Sequence, residues 1–420
     1  MSKPKVVGYG TYGCVTKPQL SCKTTIKKKL PKSSVSKILH KDDALEELNE
    51  MKKISKIKNI GDYILQEPVQ CTPKRDGHFK EALEECQGLS HYLYKYRNEP
   101  ENLRLLLMED GGVNVEDYSE NFLAKESYAN QCHFFTSLLN LIQGLAFFRK
   151  NNVMHYDIKM KNIVYNVKTG SIKFIDFGMA TSLSQHIIKS KNNENKMARS
   201  HTYYPPETSC SNEKDFAKSE SCKKYRDFFT FNQFIQKAAN TFDSYCLAFD
   251  LDNLMNYLLE EKKKTPSDFA KIDTEFLEKA KSLINEFCAP DLAKRNDNLD
   301  VWYSSMKELL VQYKLYKTGS PIPSKEILEK SKSWSHQVRS PTMSPPVSRP
   351  KPAKRRVRVQ SPSLSKSKKV KKVKKVKKTK GKLKLKVKVK KTAKRLRPCP
   401  KGYIRNSVTK RCRKKVKVKA

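Results

Sequence analysis

No stretch of the 420-residue chain approaches the roughly twenty consecutive apolar residues that cross a bilayer, so no transmembrane segment is expected. A secretory leader is not expected either. The chain opens Met-Ser-Lys-Pro-Lys and reaches a glycine-rich stretch almost at once. Eleven cysteines are scattered without the short pairs of a metal site: Cys14, Cys22, Cys71, Cys86, Cys132, Cys210, Cys222, Cys246, Cys288, Cys399 and Cys412. No zinc is expected, and in a large chain without an export signal the thiols are expected to be reduced. Acidic residues are absent beyond Glu329.

That last absence divides the chain. The formal net charge is +43, and residues 316–420 carry 39 basic and 2 acidic residues, a net of +37. Residues 1–315 are close to neutral and apolar enough to bury a sizeable core. A folded body therefore precedes a cationic tail.

Within the body, Val6 to Val15 reads as strand, glycine turn and second strand, since β-branched residues flank the glycines. Val35 to Leu39 is a short strand. About Asp42 to Ile57 is a helix, capped by Asp42 or Asp43, with Leu45, Leu48, Met51 and Ile54 recurring at helical spacing. Leu103 to Met108 is a buried strand ended by Gly111-Gly112. From Phe134 a long helix aligns Phe134, Leu138, Leu141, Leu145 and Phe148, and Asn151-Asn152 breaks it. Strand-like pieces at 162–165 and 172–175 flank a Lys-Thr-Gly turn, and helix-like segments alternate with polar loops to about Tyr316.

Two sets of residues carry chemistry. Gly8-x-Gly10-x-x-Gly13-x-Val15 lets backbone N–H groups approach phosphate oxygens. It continues as strand, where a dinucleotide fold would start a helix. The second set is His155-Tyr156-Asp157-Ile158-Lys159-Met160-Lys161-Asn162, followed fourteen residues after Asn162 by Asp176-Phe177-Gly178. Phosphoryl transfer needs such a group: one carboxylate to orient a hydroxyl, an amide and a second carboxylate for a divalent metal, and a cation for the moving phosphate.

In this order the motifs resemble the eukaryotic-type protein kinases, across about residues 5–315. The resemblance implies an α+β bilobal fold, with a small β-rich lobe at 1–110 and a larger helical lobe at 111–315. It implies transfer of the γ-phosphate of ATP, with Mg2+, to Ser/Thr hydroxyls of protein substrates. Asp157 would be the catalytic base, Lys159 the γ-phosphate lysine, and Asn162 and Asp176 the magnesium ligands. Gly8, Tyr9, Gly10, Thr11, Tyr12, Gly13, Cys14 and Val15 would cover the phosphates of ATP. Met108 would be the gatekeeper of a hinge whose Glu109 and Gly111 backbones bind adenine. Lys37 suits the strand lysine, with Lys27 as runner-up, and its helix partner is Glu47 or Glu50. The segment Ser200 to Glu207 resembles the protein-substrate platform, Ser200 falls where Ser/Thr-specific members carry a hydroxyl, and Arg295 suits the partner of Glu207. Asp243 matches the helix aspartate that braces the catalytic loop. Tyr156 departs from the family by replacing an arginine that pairs with an activation-loop phosphate, which implies no need for that switch. Met160 replaces a common proline.

The tail is expected to be unpacked. Residues 318–352 are rich in Ser and Pro, and Lys-Lys-Val repeats and Lys-Leu/Val alternation follow. Its charge suits nucleic acid or other polyanions, without the interleaved aromatics that base readout requires. The stretch from Cys399 through Cys412 (397–415) is similar to the two-cysteine adaptor module of large DNA viruses. On that resemblance the chain is expected to be a kinase of an iridovirus-like virus, in the virion or in the cytoplasm or nucleus of the infected cell; it is further expected to be monomeric and non-secreted. The alternative is a kinase-fold scaffold or nucleic-acid-binding virion protein without significant phosphotransfer.

Overall fold

The computed structural model describes residues 3–10, 12–26, 30, 33–89, 91–96, 98–195, 201–266, 269, 271–319 and 321, together with 403–405 and 412–414. Thr11, Lys27, Ser200 and nearly all of the cationic tail lie outside the described residues. The chain falls into two units, 1–344 and 345–420. In the second, Tyr403–Arg405 pairs antiparallel with Cys412–Lys414.

The first unit opens with β1 (Lys5–Tyr9), β2 (Gly13–Lys17) and β3 (Ser34–His40), followed by α1 (Lys41–Ile54). Next come β4 (Val69–Cys71), α2 (Gly77–Leu89), α3 (His91–Tyr94) and β5 (Leu103–Glu109). The five strands form one antiparallel sheet in the order β1-β2-β3-β5-β4. Strand alternation sends neighbouring residues to opposite faces. Cys14, Ile38, Leu105 and Leu107 pack beneath Phe79, Leu83 and Cys86 of α2. Leu39 and Leu106 meet Ala44 and Leu48 of α1 on the other face. The sheet is thus covered on both sides, which is why every residue of β3 except Lys37 is buried.

Helix α1 begins directly at the end of β3, and its cap lies two or three residues before the expected Asp42 or Asp43. His40 is the cap, its ring Nδ1 accepting from the Asp42 N–H at 3.4 Å, and Asp42 and Asp43 sit in the first turn. Of the expected stripe, Leu48, Met51 and Ile54 are buried, with Ala44 beside them; Leu45, expected inside, is 51% exposed.

Beyond the sheet, β6 (Val113–Asn114) and α4 (Val115–Asn121) lead to α5 (Tyr128–Lys150). The stripe Phe134, Leu138, Leu141, Leu145 and Phe148 is wholly buried, and Ser127 caps α5 ahead of its apolar start. The short β7 (Val153–Met154), β8 (Ile163–Asn166), β9 (Ser171–Phe174) and β10 (Thr181–Ser182) follow, then α6 (Leu183–Lys191). After the small α7 (Glu213–Lys218) and α8 (Lys223–Arg226) comes α9, 34 residues from Phe231 to Lys264, started by a Thr230/Gln233 capping box. Helices α10 (Thr274–Phe287) and α11 (Leu299–Gln312) complete a core built on α5 and α9. A sheet-rich first region and a helical second region, the expected order, make up the unit. Among the described residues no helix is long and apolar enough to cross a membrane.

The expectation of reduced thiols is overturned for six cysteines. Cys14 is bonded to Cys86, Cys22 to Cys71 and Cys210 to Cys222, with Cα atoms 5.8, 5.9 and 5.8 Å apart. The first two pairs are 72 and 49 residues apart in sequence, so only the folded sheet and α2 bring them within bonding range. Replacing both Cys14 and Cys86 by alanine is expected to cost about 2–4 kcal/mol of stability. Chemical denaturation of wild type and double variant, each with and without reductant, measures that difference.

Candidate active site

Register fixes which side chains meet. Lys37 pairs with Val15 on one side and Leu106 on the other. By alternation Val15, Val35, Lys37, Leu106 and Met108 share the α1 face of the sheet. Cys14 points the other way, into its bond with Cys86. Cys14, expected among the nucleotide-binding residues, thus lies on β2 with only its backbone beside the glycine loop.

That loop is a tight turn, the Gly10 N–H donating to the Gly13 carbonyl at 2.8 Å. Its glycines are not equivalent. A Cβ on Gly10 would meet nothing within 4 Å, and one on Gly8 only Val15 at 3.9 Å. A Cβ on Gly13 would lie 2.2 Å from the Ile38 carbonyl oxygen, so the third glycine is required by strand packing. Tyr9 and Tyr12 are exposed, and Tyr12 packs edge-on against Tyr92 of α3.

Lys37 Nζ lies 2.7 Å from Glu47 Oε2 and 3.5 Å from Asp176 Oδ1. Burial works against the ammonium, but Asp176 and Glu47 outweigh it and push the Lys37 pKa up, so the amine stays charged. Lys37 in turn holds the Asp176 carboxyl below its ordinary value, against the effect of burial. Glu50 is not brought to this group; it bonds Lys53 at 2.6 Å on the same helix. Asp176 itself sits at φ 64°, ψ 68°, a left-handed backbone that non-glycine residues seldom adopt. Phe177 behind it is buried against His155, ring centroids 4.4 Å apart.

The loop at 155–162 is held from below by α9. Asp243 accepts from the backbone N–H of His155 (2.7 Å) and of Tyr156 (2.9 Å), and Asp250 accepts from the Met160 N–H (2.8 Å). Seven residues is close to two helical turns, so both carboxylates leave the same side of α9. His155 Nε2 donates to the Ile175 carbonyl at 3.1 Å, tying the loop to the strand before Asp176. Tyr156 has φ 70°; its ring stacks on Phe242 (4.7 Å, 18°) and meets His186 of α6 at 5.3 Å.

These supports present Asp157 with three side-chain donors on its carboxylate. Lys159 Nζ and Asn162 Nδ2 each donate to Oδ2 at 2.8 Å, and the Tyr203 hydroxyl donates to Oδ1 at 2.5 Å. Tyr203 follows from a platform anchored by Glu207, whose carboxylate is buried against Arg295, Nη2 to Oε2 2.9 Å. At the sheet end, Met108 flanks the α1 core, and Asp110 is tied to Lys17 and Ser33, both at 2.8 Å. Gly111 has no room for a side chain: a Cβ would lie 2.5 Å from Val164. The Gly111 backbone thus runs close to Val164 of β8.

The structure brings Lys37, Glu47 and Asp176 into one group and Asp157, Lys159 and Asn162 into another, joined through the 155–176 backbone. Two participants escape a reading of the sequence. Asp250 is discoverable as the residue two turns beyond Asp243; Tyr203 carries no pattern of its own.

A family model described as the protein kinase domain matches residues 91–302, half of the chain. Its span begins after the glycine loop, Lys37 and Glu47. A protein of Dictyostelium discoideum named probable serine/threonine-protein kinase mkcD is 30% identical over 117 residues, covering 28% of this chain and 16% of that protein. The chain therefore aligns with about a sixth of that relative's length.

Asp250 gives a pH test of the loop support. Burial, with the charges of Glu116 and Asp157, pushes its carboxyl up to about 7, although the Met160 N–H works in the opposite direction. The unfolded chain ionises an aspartate near about 4, so this group lowers stability as pH rises from about 4 to about 7. Asp250→Asn, which retains an oxygen for the Met160 N–H, should gain stability relative to wild type on going from about pH 5 to about pH 8. Denaturation midpoints at the two pH values measure it.

Proposed function

The chain belongs to the protein kinase family, and on that premise we propose that it transfers the γ-phosphate of ATP to serine and threonine hydroxyls of proteins with the help of Mg2+. The observation that best supports this is the buried Lys37 ammonium held between Glu47 and Asp176, a fixed cation beside a carboxylate poised for a metal. The Ser/Thr assignment draws further support from the likeness to the Dictyostelium protein.

In this reading the nucleotide base lies between the Val15, Val35 and Met108 face of the sheet and Val164, against the backbones of Glu109 and Gly111. Lys37 binds the α- and β-phosphates, and Gly8 and Gly10 leave open space where phosphate oxygens approach the loop. Asn162 spends its amide nitrogen on Asp157, which leaves its carbonyl oxygen and the Asp176 carboxylate as metal donors. Hard oxygen donors few in number would suit magnesium. A divalent ion held by Asn162 and Asp176 would supply positive charge to offset the charge that develops on the phosphate. Asp157 orients the acceptor hydroxyl and takes its proton, and Lys159 stands beside it to balance the phosphate. Tyr156, stacked between Phe242 and α6, fills with an aromatic ring the place of a phosphate-binding arginine, so activity does not wait on phosphorylation of that segment.

Asp157→Ala is expected to lower transfer of labelled phosphate to a protein mixture by about 10²–10⁴, with the melting temperature measured in parallel. Equal labelling by wild type and variant overturns the assignment.

We also propose that the +37 of residues 316–420 tethers the enzyme to polyanions, nucleic acid first. Deleting residues 317–420 is expected to abolish retention on DNA while phosphotransfer persists. Retention by the full chain should fall steeply and linearly on a log–log plot against salt. DNA binding that survives the deletion refutes the tether.

A further inference from the structure

Asp157 has two carboxylate oxygens, and their partners are unequal. Oδ2 accepts from both Lys159 and Asn162 and has no lone pair to spare. Oδ1 accepts only from the Tyr203 hydroxyl among the hydrogen bonds observed there, at 2.5 Å. A substrate hydroxyl bound to this carboxylate must therefore use the second lone pair of Oδ1, next to the phenol.

A phenol at that point could be a movable plug or a fixed strut, and its surroundings favour the strut. The next residue, Tyr204, is buried, packs on Phe242 at 5.1 Å and donates its hydroxyl to the Tyr156 carbonyl at 3.2 Å. Pro205 and Pro206 follow and stiffen the backbone. Glu207, four residues after Tyr203, is locked to the fully buried Arg295. On the other side the His201 ring stacks on Tyr203 (5.1 Å, 14°), and Lys159 Nζ lies 5.9 Å from the phenol ring centroid. Burial, then the bond to Asp157, pushes the phenol pKa far up, so it remains a donor throughout the range in which proteins work.

We infer that Tyr203 is a positioning residue for phosphoryl transfer: its hydroxyl fixes the orientation of the Asp157 carboxylate and directs the remaining lone pair of Oδ1 toward the acceptor hydroxyl. The inference rests on Asp157 being the base. The phenol does not react; it stays bonded while Oδ1 takes the substrate proton. A donor fixed at Oδ1 limits swinging of the carboxylate about its χ angles, and misorientation of a base by a fraction of an ångström is costly in rate.

The test uses the full chain and a serine-containing protein substrate. Tyr203→Phe removes the donor and keeps the ring. It is expected to lower kcat about ten- to a hundredfold, the loss typical of a hydrogen bond to a charged group, while KM for ATP and the melting temperature remain within error of wild type. A merely structural tyrosine would move the melting temperature and both KM values with kcat. Wild-type kcat in Tyr203→Phe overturns the inference, and so does a raised kcat, the signature of a plug. Mass spectrometry of the wild-type protein after incubation with ATP supplies a second reading: phosphate on Tyr203 makes the phenol an acceptor and refutes the positioning role. Should Asp157→Ala retain full activity, the parent assignment fails instead, and the two failures are told apart by that variant.

Discussion

The candidate site is shaped by two carboxylates that support it from beneath. Asp243 and Asp250 rise from one side of α9 and accept the backbone N–H groups of His155, Tyr156 and Met160. A buried carboxylate held on a long helix is an exacting partner, since leaving either group unpaired costs about 1–3 kcal/mol or more. The 155–162 loop therefore takes its shape from the core of the helical region, including the left-handed backbone at Tyr156. Asp157, Lys159 and Asn162 converge because of that shape, and His155 passes it on to Asp176 through the Ile175 carbonyl.

Much of this is legible in the sequence where chemistry is dense. Asp157, Asn162 and Asp176 sit in short runs whose residue types serve few other purposes, and Lys37 is indicated by apolar neighbours on a strand. The choice between Glu47 and Glu50 is obscured by Leu45. Counting Leu45 as buried rotates the inferred inner face of α1 away from Glu47, whereas the small Ala44 marks the true face. Helix α2 is easily overlooked, although Phe79, Ala82, Leu83 and Cys86 recur at helical spacing and pack under the sheet. The extent of α9 is hidden for the opposite reason: it is buried on several sides, so its polar and apolar residues form no clean stripe. Tyr203 reaches Asp157 from 46 residues away, a contact only tertiary structure creates. The disulfides are likewise invisible, being set by which strands and helices abut.

The two regions fix charge by different means. Around Lys37, opposite charges hold one another in place at short range, with burial making the attraction felt. Around the 155–162 loop, backbone N–H groups and a rigid helix do the work. Tyr156 follows the second pattern, since its uncharged ring, pressed between Phe242 and His186, joins the loop to α6 by packing alone.

The two-sided burial of the sheet gives the Cys14–Cys86 bond a further meaning. Because neighbouring residues on a strand face opposite ways, β2 slipped by one position would carry Cys14 to the α1 side and out of reach of Cys86. The same slip would turn Val15 beneath α2 and misalign the glycine turn. Covalent closure is thus available only to chains whose hairpin is in frame, and the crosslink acts as a proofreading seal on the half of the molecule that cradles Lys37.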